Sequence, residues 1–495
     1  MNAPAFVWLI ALLLGASPVI YLSGHVGRSV RAARWLGLAA LLAAWFPLIL
    51  AGQEMLASGP AVFTLGTVSL RFDGLSLLLA AVALILGTLV ALYSGPYIAA
   101  DDGQEKYYAM LAAMVGVMIG LGCAADLFNL WVWFEAMAVT SYLLVAYYHE
   151  QPASLEAGLK YLVQSAVGSA LVLLGIGLIL SQTGTLDLVT LRSHVTASPV
   201  LIAAGALFVV GFGVKAALAP MHTWLPDAHS MAPSGISAML SGVVIEAGLI
   251  AMMRAVMALA VGTASWGVLL MVFGALNMVV GNLIALRQTQ VKRLLAFSSL
   301  SHVGYMLVGL GITLYSGEIA GAQGGFFHLF THGLMKGLAF LAAGALLFVL
   351  HQAAGSHDPL TIDDLSGAAS RYPLIALTLS LALLGLGGLP PLAGFMSKWQ
   401  IFVAGFATHN IWIEALIVFA ALNSILALAY YVPLINAMYR RQPSPAVENG
   451  LGLPLAMKIP LAVLAVAIVA IGVWPALMSW LTGPASAALL NSLGG

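Results

Sequence analysis

The sequence predicts an all-α polytopic membrane protein of about fourteen transmembrane helices. Three observations carry that prediction. Apolar runs of about 20 residues recur from end to end, each long enough to span about 30 Å of hydrocarbon. Only 7% of the 495 residues are charged, and 62% are hydrophobic. The runs also lack the period-2 alternation of barrel strands, and within a bilayer only helices or closed barrels satisfy their own backbone.

In chain order the spans fall at roughly 4–22, 35–52, 74–94, 107–124, 127–148, 159–181, 200–219, 234–259, 266–286, 295–315, 322–350, 373–406, 411–438 and 456–482. The first, in MNAPAFVWLIALLLG, has the apolar run of a signal peptide but no basic n-region, so it reads as a membrane helix. No soluble domain interrupts the chain, and the longest polar connections, 351–372 and 440–453, are short. Arg28, Arg31 and Arg34 follow span 1, Arg287, Lys292 and Arg293 follow span 9, and Arg440 and Arg441 follow span 13. These loops share one parity, so the positive-inside rule puts them all in the cytoplasm and both termini outside the cytoplasmic (inner) membrane.

Composition excludes several function classes. Net charge is zero and no basic run signals nucleic acid. The single cysteine, Cys123, cannot build a disulfide framework or an iron–sulfur site. Neither a phosphate-binding G-x-x-x-x-G-K-[ST] loop nor an H-E-x-x-H zinc motif occurs. The expectation is no metal and no cofactor on this chain, with energy supplied by a gradient or by partner subunits.

Two spans are interrupted. The seventh, GFGVKAALAPMHTWLPDAH, carries Pro220 just beyond Lys215, and the twelfth, GLGGLPPLAGFMSKWQIF, carries Pro390 and Pro391 before Lys398. Proline removes a backbone donor and clashes with the preceding turn, so both helices are expected to unwind there. Unwound backbone at membrane depth is tolerated where it is buried in protein or lines a wet cavity. Broken segments placed similarly in two halves point to internal repeats and to sites near the midplane.

An ionisable residue at bilayer depth is costly unless paired or hydrated, and by default marks an ion path. Glu135, Lys215, Glu246, Lys336 and Lys398 all lie in apolar runs. Glu135 is either a protonated carboxyl bonded to Thr140 or Ser141, or a proton-binding carboxylate partnered by a lysine. In the second case burial disfavours charge on both groups and proximity restores it, so one proton toggles the pair. Lys215 is either such a partner or a lysine snorkelling to the interface. His328, His332 and Lys336 recur at i, i+4 and i+8 along one helix stripe. For the two histidines, packing, a metal site short of ligands and a proton relay all remain open; His302 is a relay candidate because its ordinary pKa lies near neutrality. His222, Asp227 and His229 follow the first break, where a loop-stabilising role competes with a functional one.

Several strings together resemble a known family: FNLWVWFEAM, EAGLKYLVQSAVGSA, VKAALAPMHTWLPDAHSMAPSGISA, VKRLLAFSSLSHVGYMLVGLG, FFHLFTHGLMKGLAFLAAG and GLPPLAGFMSKW. They are similar to the antiporter-like subunits of respiratory complex I, of multisubunit Mrp-type cation/proton antiporters and of membrane-bound energy-converting hydrogenases. The resemblance covers residues 70–440. It implies two inverted five-helix repeats, each with one broken helix, and a central hydrated axis carrying protons. The implied organisation is helices 1–3 over residues 1–106, the first repeat over 107–259, the second over 260–438 and a last helix in 439–495. It also implies other membrane subunits of the same complex as partners, with protons as the transported species and Na⁺ as a further candidate.

Carried over position by position, Glu135 matches the family's fifth-helix glutamate, Lys215 its partner lysine, His302 the tenth-helix histidine, Lys336 the eleventh-helix lysine of some members and Lys398 the terminal site. Glu246 departs, because members usually have lysine there. The expected route therefore runs from Lys215, tuned by Glu135, through Glu246 and buried water to His302, then by Lys336 to Lys398, with His328 and His332 beside it. Lys215 is expected to have two carboxylate partners, Glu135 and Glu246. PPLAGFMSKW and VGSALVLLG look closer to the Mrp D-type and hydrogenase-type members than to complex I. The competing expectation is a non-conducting structural subunit of such a complex.

Overall fold

The computed structural model describes residues 3–26, 30–66, 68–195, 198–259, 263–351, 359–440 and 442–491. Arg28, Arg441, the expected boundary at 259/260 and residues 352–358 of the polar connection lie wholly or partly outside the described residues.

The helices run α1 (Ala5–His25), α2 (Val30–Ala43), α3 (Trp45–Ser58), α4 (Gly74–Tyr97), α5 (Gln104–Gly122), α6 (Leu127–Val145), α7 (Pro152–Thr183), α8 (Leu191–His194), α9 (Pro199–Lys215), α10 (Trp224–Met231), α11 (Ser234–Met239) and α12 (Ile245–Ala258). They continue as α13 (Thr263–Ala285), α14 (Val291–Ser316), α15 (Ile319–Leu350), α16 (Ala368–Arg371), α17 (Pro373–Gly387), α18 (Ala393–Phe406), α19 (Ile411–Arg440), α20 (Pro445–Asn449), α21 (Leu455–Val473) and α22 (Ser479–Leu490). Eleven helical segments among the described residues are long and apolar enough to cross a membrane. The other three expected spans are the fourth, whose helix α5 opens with Glu105 and Lys106, and the two interrupted ones. All fourteen expected spans thus coincide with helix.

Both breaks fall where the prolines put them. Helix α9 stops at Lys215 and helix resumes with α10 at Trp224; α17 stops at Gly387 and α18 begins at Ala393. The lysines are not placed alike, however: Lys215 is the last residue before its break, whereas Lys398 follows its break. Span 14 is shorter than expected. It ends at Val473, where Pro475 biases Trp474 out of helical geometry, and after a 3₁₀ turn α22 packs across the start of α4. One further element is an antiparallel hairpin, outside the expected all-helical pattern, that pairs β1 (Ala61–Leu65) with β2 (Val68–Phe72).

The α11–α12 unit, α14 and α15 are buried along nearly their whole length, while only a minority of the residues of α1 and α19 is buried. A helix apolar all round belongs in the interior of a large bundle, and these three helices form that interior. Small residues permit the close approach. On α13 the glycines recur every seven residues, and a Cβ on Gly267 or Gly274 would stand 2.6 Å and 2.8 Å from the Gly311 and Gly304 carbonyl oxygens of α14.

Candidate functional site

The first break is built from side chains that replace lost helical hydrogen bonds. Asn277 of α13 accepts from the Ala219 N–H (2.8 Å) and donates to the Ala217 carbonyl (3.3 Å). The Trp224 indole donates to the Val214 carbonyl at 2.7 Å. Trp224 also stacks on Tyr161 at 3.9 Å, and the fully buried Lys215 ammonium lies 3.9 Å from the Tyr161 ring centre. Lys215 Nζ donates to Ser165 Oγ at 3.0 Å. It does not snorkel.

The expected carboxylate partners are placed differently. Glu135 of α6 is half-buried, with Oε1 lacking a hydrogen-bond partner among the described residues. Its helix neighbours do not hold it, since Thr140 and Ser141 donate back to the Ala136 and Met137 carbonyls. Among the described residues the Lys215 ammonium bonds Ser165 and not Glu135. Glu246 does not pair with Lys215 at all. Helix α12 meets Lys215 with Gly248, where an added Cβ would stand 2.8 Å from the lysine Cβ. Two residues back at about 100° each, Glu246 points to the opposite side of α12.

There Glu246 meets α15. Its Oε1 lies 2.9 Å from His332 Nδ1, with both side chains fully buried. A π-helical turn, Leu240–Val244, immediately precedes it, a distortion that recurs at functional positions in helices. Glu246 Oε2 and His332 Nε2 have no partner among the described residues. From His332 a row of imidazoles continues. The His332 and His302 rings are 5.2 Å apart, and His302 Nδ1 is 3.0 Å from His328 Nε2. His328 Nδ1 is 2.9 Å from Ser397 Oγ, next in sequence to Lys398. Lys398 donates to the Leu386 carbonyl and to Ser424 Oγ, both at 2.8 Å, and faces the Tyr305 ring at 4.6 Å.

Lys336 stands beside this row. It donates to the Leu295 carbonyl of α14 at 2.7 Å and to Ser298 Oγ. Residues at i, i+4 and i+8 drift about 40° per step around a helix. That drift sends His328, His332 and Lys336 to different neighbours, so contact runs Glu246–His332–His302–His328–Ser397 and bypasses Lys336. Tyr161, Ser165, Asn277, Ser397 and Ser424 are not singled out by the sequence because each is ordinary beside its neighbours. Only Asn277 carries a signal there, as an amide within the apolar run of α13.

Away from the row, Asp227 of α10 accepts from Lys160 at 3.0 Å and from Arg293 at 2.6 Å, tying the second half of the broken helix to α7 and α14. Partial burial works against its charge, but the two cations outweigh this and hold the carboxyl below the ordinary aspartate range. A depressed carboxyl pKa stabilises the fold above the unfolded-state value and loses that contribution as pH falls through the folded one. Asp227→Asn should therefore modestly lower the melting midpoint at neutral pH, and the gap should close only below the ordinary aspartate pKa; a pH series of melting curves checks it.

A family model described as NADH:quinone oxidoreductase/Mrp antiporter, TM, matches residues 124–424. The chain belongs to this family. A second model, for the N-terminus of chain 5 of NADH-ubiquinone oxidoreductase (complex I), matches residues 65–108. Among its relatives, F(420)H(2) dehydrogenase subunit N of Methanosarcina mazei is 32% identical over 83% of either chain. NADH-quinone oxidoreductase subunit N of Desulfitobacterium hafniense is 35% identical over 75% of either chain. A chain of the archaeal membrane-bound sulfane sulfur reductase, a respiratory membrane complex, superposes with TM-score 0.89 at 28% identity over 99% of both chains. The Mrp complex from Dietzia contains a chain of the same fold, at 22% identity, TM-score 0.85, and 99% and 100% coverage. The protein is thus an antiporter-like, multi-pass membrane subunit of the complex I/Mrp/hydrogenase type, and such subunits belong to multisubunit membrane complexes.

Proposed function

We propose that this chain is a proton-conducting membrane subunit of a redox-linked complex, moving protons along its buried row of titratable groups. The observation that carries the reading is the unbroken buried contact from Glu246 through His332, His302 and His328 to Ser397, beside Lys398. Each imidazole both accepts and donates a proton, so the row suits relay by successive hand-over. Protons pass from Lys215 to Glu246 through buried water, Glu135 sets the electrostatic bias on Lys215, and Lys398 is the terminal site. Lys336 acts on the row by its charge rather than as a link. Residues 107–259 and 260–438 serve as two inverted repeats, each contributing one half-channel, and the arginine-bearing loops face the cytoplasm with both termini outside.

A redox-linked setting is favoured over an Mrp-type one by the relatives, whose names are those of dehydrogenase and oxidoreductase subunits. The electron chemistry then belongs to partner subunits. The test uses the whole complex reconstituted in vesicles, comparing wild type with Lys215→Met and Lys398→Met. Each variant is expected to assemble and to lose at least about tenfold in the rate of proton movement through this chain, a barrier increase of about 1.4 kcal/mol. Assembly with unchanged proton movement in both would leave the chain a structural subunit.

A further inference from the structure

At the end of the bundle opposite the arginine-bearing loops, three guanidinium groups converge on a cavity of about 220 Å³. Arg71 comes from β2, Arg192 from α8 and Arg254 from α12; the cavity walls also include Asp73, Ala124 and Ala125. The charges do not balance within the cavity. Asp73 is committed to Arg254, accepting from it at 2.7 Å and 3.1 Å. The nearby Asp187 carboxylate is turned to its own backbone, accepting from the Val189 and Thr190 N–H groups. Arg192 donates one bond, to the Asn491 carbonyl at 2.9 Å, which neutralises nothing. The Nε atoms of all three arginines are buried without a hydrogen-bond partner among the described residues.

Two guanidiniums without a carboxylate in ion-pair contact among the described residues are costly in a semi-enclosed site, because buried donors and charges lose solvation without recovering it. At Arg192 the pKa is held down by burial and then by the neighbouring Arg71 and Arg254 charges, which outweigh an opposing pull from Asp187. Guanidinium forks match tetrahedral oxyanions in geometry and charge, since each presents parallel N–H donors to two oxygens. The site lies among the ends of β2, α4, α8, α12 and α22 rather than on the proton row, so the transport reading does not use it.

We infer that Arg71, Arg192 and Arg254 form a binding site for a phosphate-class oxyanion, supplied by an anionic phospholipid headgroup or by free phosphate. Arg254, already fixed by Asp73, is the rigid wall, and Arg71 and Arg192 supply the donors that close on the anion.

The test follows thermal unfolding of the delipidated whole complex while phosphatidylglycerol, phosphatidylcholine, inorganic phosphate or chloride is titrated at constant ionic strength. Phosphatidylglycerol is expected to raise the midpoint saturably, and phosphatidylcholine and chloride are not. A matching response to inorganic phosphate identifies a free anion as the source; its absence identifies the lipid. Arg71→Gln with Arg192→Gln should weaken half-saturation at least about tenfold, a loss of about 1.4 kcal/mol. Arg71→Lys with Arg192→Lys keeps the charge but not the fork and should weaken it several-fold. If the glutamine pair fails to assemble, the lysine pair is read in its place. Unchanged half-saturation in the variant that is read overturns the inference, as does a wild type that responds to neither phosphate source. Loss of a neighbouring subunit with the anion response intact also overturns it, and assigns the arginines to an acidic partner surface.

Discussion

Glu246→Gln is expected to lower proton movement through the complex by about a hundredfold, the low end of what a positioned proton-transfer group contributes. Glutamine keeps the volume of the side chain and can still accept from His332 Nδ1, 2.9 Å away in the native protein. It cannot take up a proton. The loss therefore reports relay chemistry rather than packing, and assembly of the complex and its electron-transfer rate should stay near wild type when measured beside proton uptake in the same vesicles. Glu246→Lys asks the complementary question. Lysine is the usual residue at this position among the proteins the sequence resembles, and an ammonium here would donate to His332 where the carboxylate accepts from it. Proton movement is expected to persist in Glu246→Lys with a displaced pH profile. Unchanged pumping in both variants would take Glu246 off the route.

His332 supplies an internal control on that reading. If it hands on the proton that Glu246 receives, removing either group interrupts the same step. The losses from Glu246→Gln and His332→Ala should then fail to add in the double variant. Two groups contributing independently to one barrier would give losses that multiply.

Much of this is legible in the sequence, and the illegible part has one physical origin. Span positions follow from apolar run length, and the two breaks follow from Pro220 and Pro390–Pro391, because these are properties of single segments. Partnerships depend on how each helix is rotated about its axis, which no run length encodes. Glu246, expected beside Lys215, instead faces His332 because Gly248, not Glu246, occupies the α9-facing side of α12. Lys336 shares a stripe with His328 and His332, yet the drift of that stripe turns it onto α14. The hairpin Ala61–Phe72 is absent from the expected spans, although its β-branched residues and Gly66, which takes a positive φ of 62°, are a usable signal. Arg254 does not stand out because its partner, Asp73, lies 181 residues away in sequence.

That pair sets the largest expected effect on stability. Arg254 and Asp73 side chains are 8% and 6% exposed, and Asp73 also caps α4 by accepting from the Ser76 N–H at 3.0 Å while Arg254 donates to the Gly122 carbonyl at 2.6 Å. One ion pair thus joins the start of α4, the end of α5 and α12. Removing one member leaves the other charge buried and alone, which costs about 3–5 kcal/mol. Arg254→Met should accordingly lower the melting midpoint sharply and reduce the amount of chain recovered in the membrane. Arg254→Met combined with Asp73→Asn removes both charges and should recover much of the deficit, because no orphan remains. The Asp73 side also predicts a pH dependence. Burial pushes its carboxyl up, but the Arg254 charge and hydrogen bonds more than reverse this and hold it below the ordinary aspartate value. Its stabilising contribution is then complete above the unfolded-state value near about pH 4 and is lost only as pH falls through the lower folded one. The gap between wild type and Arg254→Met should start to narrow above the ordinary aspartate range, where the lone buried carboxyl of the variant takes up a proton, and narrow further below it as Asp73 of the wild type does the same. Narrowing above the ordinary aspartate range that persists when Asp73→Asn is added to Arg254→Met would mean that some other group, not Asp73, is being stabilised by the arginine.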